Sequence, residues 1–212
     1  MSGALLHQGM SVAEANQLRL DSALEHAAAF AAAIGTAADP ELRAMARWPS
    51  LVPLRLQGRL SEHRSAAEAL ADQTREHPEW GVRLWASTHV GALMELGMGG
   101  TFCDSLLRTR EHLERGIEIA RRIGDTESES WCCTGLVYLA CFAGETERAR
   151  AIVQRSFELS EQLGTAMARS MAQTGLAQVE IASGAIDEAI RAIEAASSSA
   201  ASDLQRGLPL EQ

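Results

Sequence analysis

Few side chains in this sequence are spaced for catalysis. Cys132, Cys133 and Cys141 could hold a soft metal, but adjacent cysteines on a helix point about 100° apart, and no nearby histidine completes a tetrahedral set. They are expected to be small buried apolar residues. The six histidines form no His-Glu-x-x-His pair, and there is no Gly-x-Ser-x-Gly elbow. Glu62-His63 and Glu111-His112 are sequence neighbours that diverge on a helix, so neither is an acid-base dyad. Gly97-Met-Gly-Gly100-Thr101 could offer backbone N–H groups to an anion. No lysine follows it and no strand precedes it, so an inter-helix turn is expected there instead. All 19 basic residues are arginine. Without lysine there is no P-loop phosphate lysine, no Schiff-base amine and no kinase-type strand lysine. No catalytic residue, metal or cofactor is expected, and the chain reads as non-enzymatic.

Charge and length narrow the partners. A net charge of −9 argues against a broad nucleic-acid surface, which needs a cationic field. The start, Met1-Ser-Gly-Ala-Leu-Leu-His, lacks the basic and apolar stretches of a signal peptide, and the four cysteines show no secretory spacing, so a reducing cytoplasm is expected. The longest apolar runs, such as Leu136 to Ala143, are too short to span a bilayer. With 37 alanines and only 9 aromatic residues, the composition favours closely packed helices over strands.

The elements that must carry these residues recur. Leu136, Gly144, Ala149 and Val153 match Leu176, Gly184, Ala189 and Ile193 at an offset of 40. Such a period indicates a solenoid whose units, each a pair of helices, stack to bury a shared core. Gly35, Gly124 and Gly164 each close an apolar stretch, as glycine does past a helix C-terminus; His77-Pro78 supplies a further stop. Ser11-Val-Ala-Glu14 and Thr126-Glu-Ser-Glu129 have the form of capping boxes, and Asp39-Pro40-Glu41 that of an N-cap. Helices are expected at about 12–34, 40–57, 61–77, 79–97, 102–123, 126–143, 147–163, 166–183 and 186–196. Pro49 and Pro53 should kink or split the second. The early glycines Gly99 and Gly100 imply either that the helix near Phe102 is a turn longer than its counterparts or that the turn before it is a looser loop. Residues 1–196 then form one all-α repeat domain of about four to five hairpins, with 197–212 a cap or linker tail. Ala4 to Gly9 resembles the last turn of a helix whose start is missing, so the chain is expected to begin inside a repeat.

These units resemble tetratricopeptide-like repeats, particularly the longer variety in the C-terminal regions of large bacterial ATPase transcriptional regulators of the maltose-activator type. Leu136, Gly144, Ala149, Leu176, Gly184, Ala189 and the helix ends at Gly124 and Gly164 carry the likeness. His63 departs from it, standing where a small alanine belongs. The resemblance implies a right-handed α-α superhelix that senses an effector or holds a partner, with nucleotide and DNA binding on other domains. It also implies a concave side lined by the first helix of each pair. Carried onto this chain, those inner positions are Trp131 and Tyr138, then Met171 and Gln178. The earlier units add Met45, Trp48 and His89, and Trp85 also lies on a first helix. Large amphipathic side chains of this kind anchor peptides and small ligands. A protein, peptide or small-molecule effector is the expected occupant, either for a regulator module or for a free-standing adaptor, and the chain could also pair with a second copy as a homodimer. Arg108, Arg110, Arg115, Arg121 and Arg122 alternate with glutamates and are expected to pair within their own helix on a solvated face.

Overall fold

The computed structural model describes residues 10–11, 14–15, 17–34, 40–75 and 83–206, and every regular element among them is helical. It divides into two compact units, Met1–Arg108 and Thr109–Gln212. The first contains α1 (Leu20–Ile34), α2 (Pro40–Met45), a 3-10 turn (Trp48–Ser50), α3 (Leu51–Leu56), α4 (Leu60–Arg75) and α5 (Arg83–Cys103). α6 (Leu106–Ile123) carries the division in its first turn. The second unit continues with α7 (Thr126–Phe142), α8 (Thr146–Leu163), α9 (Ala166–Ala182) and α10 (Ile186–Arg206). No described helix is long and apolar enough to cross a membrane.

In the first unit α4 packs on α5, α3 packs on α4, and α1 packs on α3 and the 3-10 turn. Pro49 and Pro53 divide the expected helix 40–57, because each lacks an N–H and crowds the carbonyl four residues earlier. The expected helix 12–34 instead starts at Leu20, after a turn in which Leu18 takes φ 58°. Ser11 closes no capping box there: its buried hydroxyl donates to the carbonyl of Ala23 at 2.8 Å. Gly97, Gly99 and Gly100 lie inside α5 rather than in a turn, so the first helix of this pair is the long one, not the second. The break falls at Asp104, whose carboxylate accepts from the Ser105 N–H at 2.7 Å. Asp104 precedes Gly144 by 40 residues, so the period continues further back than the glycines suggest. Gly35, Asp39 and His77-Pro78 lie outside the described residues.

The second unit is more regular. Gly124, Gly144, Gly164 and Gly184 recur every 20 residues, with φ between 66° and 78°. After three of them, the N–H of the next residue closes the helix end: Asp125 donates to Ala120, Glu145 to Ala140 and Ala185 to Glu180, at 2.8–2.9 Å. That closure needs a left-handed residue just past the helix, which glycine adopts without steric cost. α7 packs on α8, α8 on α9, α9 on α10, and α7 on α9. The core contains Val137, Ala140, Ala149, Val153 and Val179. Ala149 is wholly buried, as the repeat alignment requires of a helix crossing.

Two boundaries differ from expectation. Asp125 rather than Thr126 caps α7, accepting from the Ser128 N–H at 3.1 Å. The carboxylate of Glu129, which would have closed the box, is drawn to two arginines instead. The last helix continues past Ala196 to Arg206. Serines tolerate this because a hydroxyl can return to the preceding turn, as Ser198 Oγ donates to the Glu194 carbonyl at 2.9 Å.

Candidate binding face

Trp131 and Tyr138 sit two turns apart on α7 and are half-buried, whereas their neighbours Ser130, Cys132, Cys133, Val137 and Leu139 are buried. Met171 and Gln178 hold the corresponding positions on α9, 40 residues later, with the same intermediate exposure. Residues seven apart share a helix face, and α7 touches α9. A strip of partly accessible side chains is thus repeated on adjacent first helices. Between the anchors, Thr134 Oγ1 donates to the Ser130 carbonyl at 3.1 Å, and Thr174 Oγ1 to the Ser170 carbonyl at 2.8 Å. These two threonines also lie 40 apart. Their hydroxyl protons are used internally, which lowers the polar cost of covering the strip. Partial burial raises the Tyr138 phenol above its ordinary value, with a smaller contribution from Cys141, so it stays protonated and can donate.

The first-unit candidates face a different environment. Trp48 is half-buried and packs on the core of Ala44, Leu51, Ala67, Leu70, Ala71, Ala92 and Leu96. It approaches Gly91 so closely that a Cβ there would lie 2.1 Å from the indole Nε1. His89 is buried, and its Nδ1 shares a 2.7 Å hydrogen bond with Thr74 Oγ1. Packing therefore turns His89 inward instead of leaving it on an open surface, and most of Trp48 serves the core. The side chain of Trp85 lies outside the described residues.

A buried polar cluster explains the departure at His63. Glu95 has a side chain only 1 % exposed, and its Oε2 accepts from Arg55 Nε at 2.8 Å and pairs with His63 Nε2 at 3.0 Å. Burial alone would raise the Glu95 carboxyl, but the His63 and Arg55 interactions outweigh it and hold the group below its ordinary value. The spacing of His63 and Glu95 in sequence gave no sign of this pairing, since their meeting depends on how α4 crosses α5.

The arginines of the second unit do more than pair within their own helices. Arg115–Glu118 is intrahelical as expected, and Arg155–Glu158 repeats it at an offset of 40. Arg110 reaches Glu145 at 2.6 Å, Arg148 reaches Glu114 at 2.6 Å, and Arg150 reaches Glu180 at 2.6 Å, each joining two helices. Glu129 on α7 is held by Arg121 of α6 at 2.8 Å and Arg155 of α8 at 3.1 Å. Burial raises its carboxyl, but hydrogen bonds from Arg155 and then Arg121 leave it below its ordinary value. Glu114, Glu118, Arg121, Arg148 and Arg155 edge an open groove of about 620 Å³, with Ile117, Cys133, Leu136, Ala151 and Ile152 also lining it. Burial pushes the Cys133 thiol up to about 12, with a further contribution from Glu129, so it is no nucleophile near neutral pH. No group of three or more His, Cys, Asp or Glu side chains suited to a metal ion occurs among the described residues.

No family model matches the chain, and no curated protein matches it. Among solved structures it is similar to the Q17M crystal structure of a Podosopora anserina putative kinesin light chain with nearly identical TPR-like repeats. The two share 15 % sequence identity over 96 % of this chain and 97 % of that chain, with a TM-score of 0.62. With helical pairs, a left-handed glycine between them and small residues at the crossings, the likeness establishes that the fold is the all-α, tetratricopeptide-like helical repeat.

Proposed function

We propose that this chain is a non-enzymatic interaction module that holds a protein or peptide segment against the first-helix strip of Trp131, Tyr138, Met171 and Gln178. The observation that carries this reading is their recurrence at an offset of 40 with shared intermediate exposure, while the residues flanking Trp131 and Tyr138 on α7 are buried. Rigid amphipathic rings and a flexible methionine supply contact area at low entropic cost. Trp48 and Trp85 belong to the same proposal as contact positions of the earlier repeats, whereas His89 is buried against Thr74. Selection of a displayed peptide library on the immobilised chain tests it. Enrichment on the wild type, lost on folded Trp131→Ala and Tyr138→Ala variants, supports the reading; equal enrichment on all three overturns it.

A second reading, the effector-sensing region of a cytoplasmic bacterial transcriptional regulator, draws on the 40-residue period and on the groove between α6, α7 and α8. Its volume lies in the range of about 300–1,000 Å³ usual for small-molecule sites. A thermal-shift screen of small apolar carboxylates favours this reading if stabilisation appears in the wild type and disappears in Ile152→Glu.

A further inference from the structure

Within the second unit, Cys141 and Val153 belong to a core cluster that includes Val179 of α9. Forty residues later, their counterparts Ile181 and Ile193 are 47 % and 48 % exposed, and Ile186 and Ile190 beside them are also exposed. Ile186, Ile190 and Ile193 fall at i, i+4 and i+7 and line one stripe of α10. The adjacent face of Ala189, Ala192 and Ala196 is buried, and α10 packs on α9. One repeat earlier, Val153 at the position of Ile193 is buried and Thr146 at that of Ile186 is partly covered, whereas Arg150 at that of Ile190 stays exposed.

The charges have changed with the position. On α8, Arg150 holds Glu180 of the covering helix at 2.6 Å. Ile190 stands where Arg150 does, and Glu194 stands where Gln154 does. At about 100° per residue, Asp187 and Glu194 border the isoleucine stripe on its solvent side. Glu188 and Arg191 pair with each other at 2.8 Å further round. The face has thus lost the cation that receives a covering glutamate and is edged by acids. A second copy of a chain with net charge −9 would bring like charges together.

We propose that the Ile181, Ile186, Ile190 and Ile193 face docks a basic amphipathic helix of a partner protein, with apolar residues at i, i+3, i+4 and i+7 and arginines along one edge. This surface lies mainly on α10, and Ile181 is one turn beyond Gln178 of the first-helix strip on α9. The test uses two synthetic helical peptides with the same leucine stripe, one edged by arginine and the other by glutamate. Their anisotropy is measured with the full chain. The basic peptide should bind at least about tenfold more tightly, as expected when complementary charges edge an apolar contact. Asp187→Arg/Glu194→Arg should reverse that preference, and Ile190→Asp/Ile193→Asp should abolish binding of both peptides with helicity intact. A control, Glu62→Arg/Asp72→Arg, makes the same change in net charge on exposed α4 acids and should leave the preference in place. Equal binding of the two peptides, an equal loss in the control, or self-association abolished by Ile193→Asp would overturn the proposal. Trp131→Ala should leave this binding unchanged, which separates its failure from that of the first-helix strip.

Discussion

The imidazole of His63 fills the space a side chain at Gly99 would occupy, its Cε1 standing 2.5 Å from where a Cβ would be. Gly175 is different: a Cβ there would meet Val153 Cγ2 at an ordinary 3.5 Å. Gly99→Ala must therefore displace a ring held by Glu95, at an expected cost of about 1–3 kcal/mol. Gly175→Ala should be neutral or stabilising by up to about 1 kcal/mol, because alanine favours the helix interior. Urea unfolding midpoints of the two variants check the contrast, and equal effects would contradict the packing at Gly99.

The Glu95 carboxyl lies below its ordinary value in the folded chain, so folding weakens its hold on a proton. Its stabilising contribution is complete above the unfolded value and is lost as pH falls through the lower folded value, placing the loss below 4.5. Glu95→Gln should cost about 3–5 kcal/mol near neutral pH, because it leaves Arg55 partly buried without its counter-charge. The stability gap between wild type and variant should narrow in acid. Denaturation curves between about pH 7 and 3 read it directly, and a constant gap would show that Glu95 does not titrate as described.

Ala149 and Ala189 are buried at equivalent crossings, with relative exposures of 0 % and 2 %. Leucine at either position should overpack the crossing and cost about 1–3 kcal/mol. Unchanged unfolding midpoints would mean that the repeat register is wrong.

Cys133 should resist alkylation at about pH 8, far below its raised thiol value. Quantitative iodoacetamide labelling at that site, before and after urea, checks this. Rapid labelling in the folded chain would place Cys133 in a more accessible environment than the one described.

The repeated half of the fold is legible in sequence because Gly124, Gly144, Gly164 and Gly184 mark local backbone demands that depend little on distant residues. Trp131, Tyr138, Met171 and Gln178 come from laying the inner-face positions of the tetratricopeptide resemblance onto that register. Unit one hides more. Gly97, Gly99 and Gly100 suggest a turn by their composition, yet tertiary packing keeps them helical, with Gly99 making room for His63. Glu95 stands 40 residues before Gly135, at a position that is small in the later repeats, and its partners come from α3 and α4. Long-range pairing of this kind leaves no local signal, and the same is true of the arginines that tie one helix to another.

The most direct test of the interaction strip is the affinity of a library-selected peptide for four folded proteins: wild type, Trp131→Ala, Tyr138→Ala and Arg115→Glu/Arg122→Glu. Titration calorimetry accompanied by unfolding midpoints separates lost contacts from lost stability. Each aromatic variant should bind at least about tenfold more weakly, as for central anchors, with little change for the arginine double variant. Retained affinity in both aromatic variants, together with loss on reversing Arg115 and Arg122, would contradict the strip and place binding on the charged second helices.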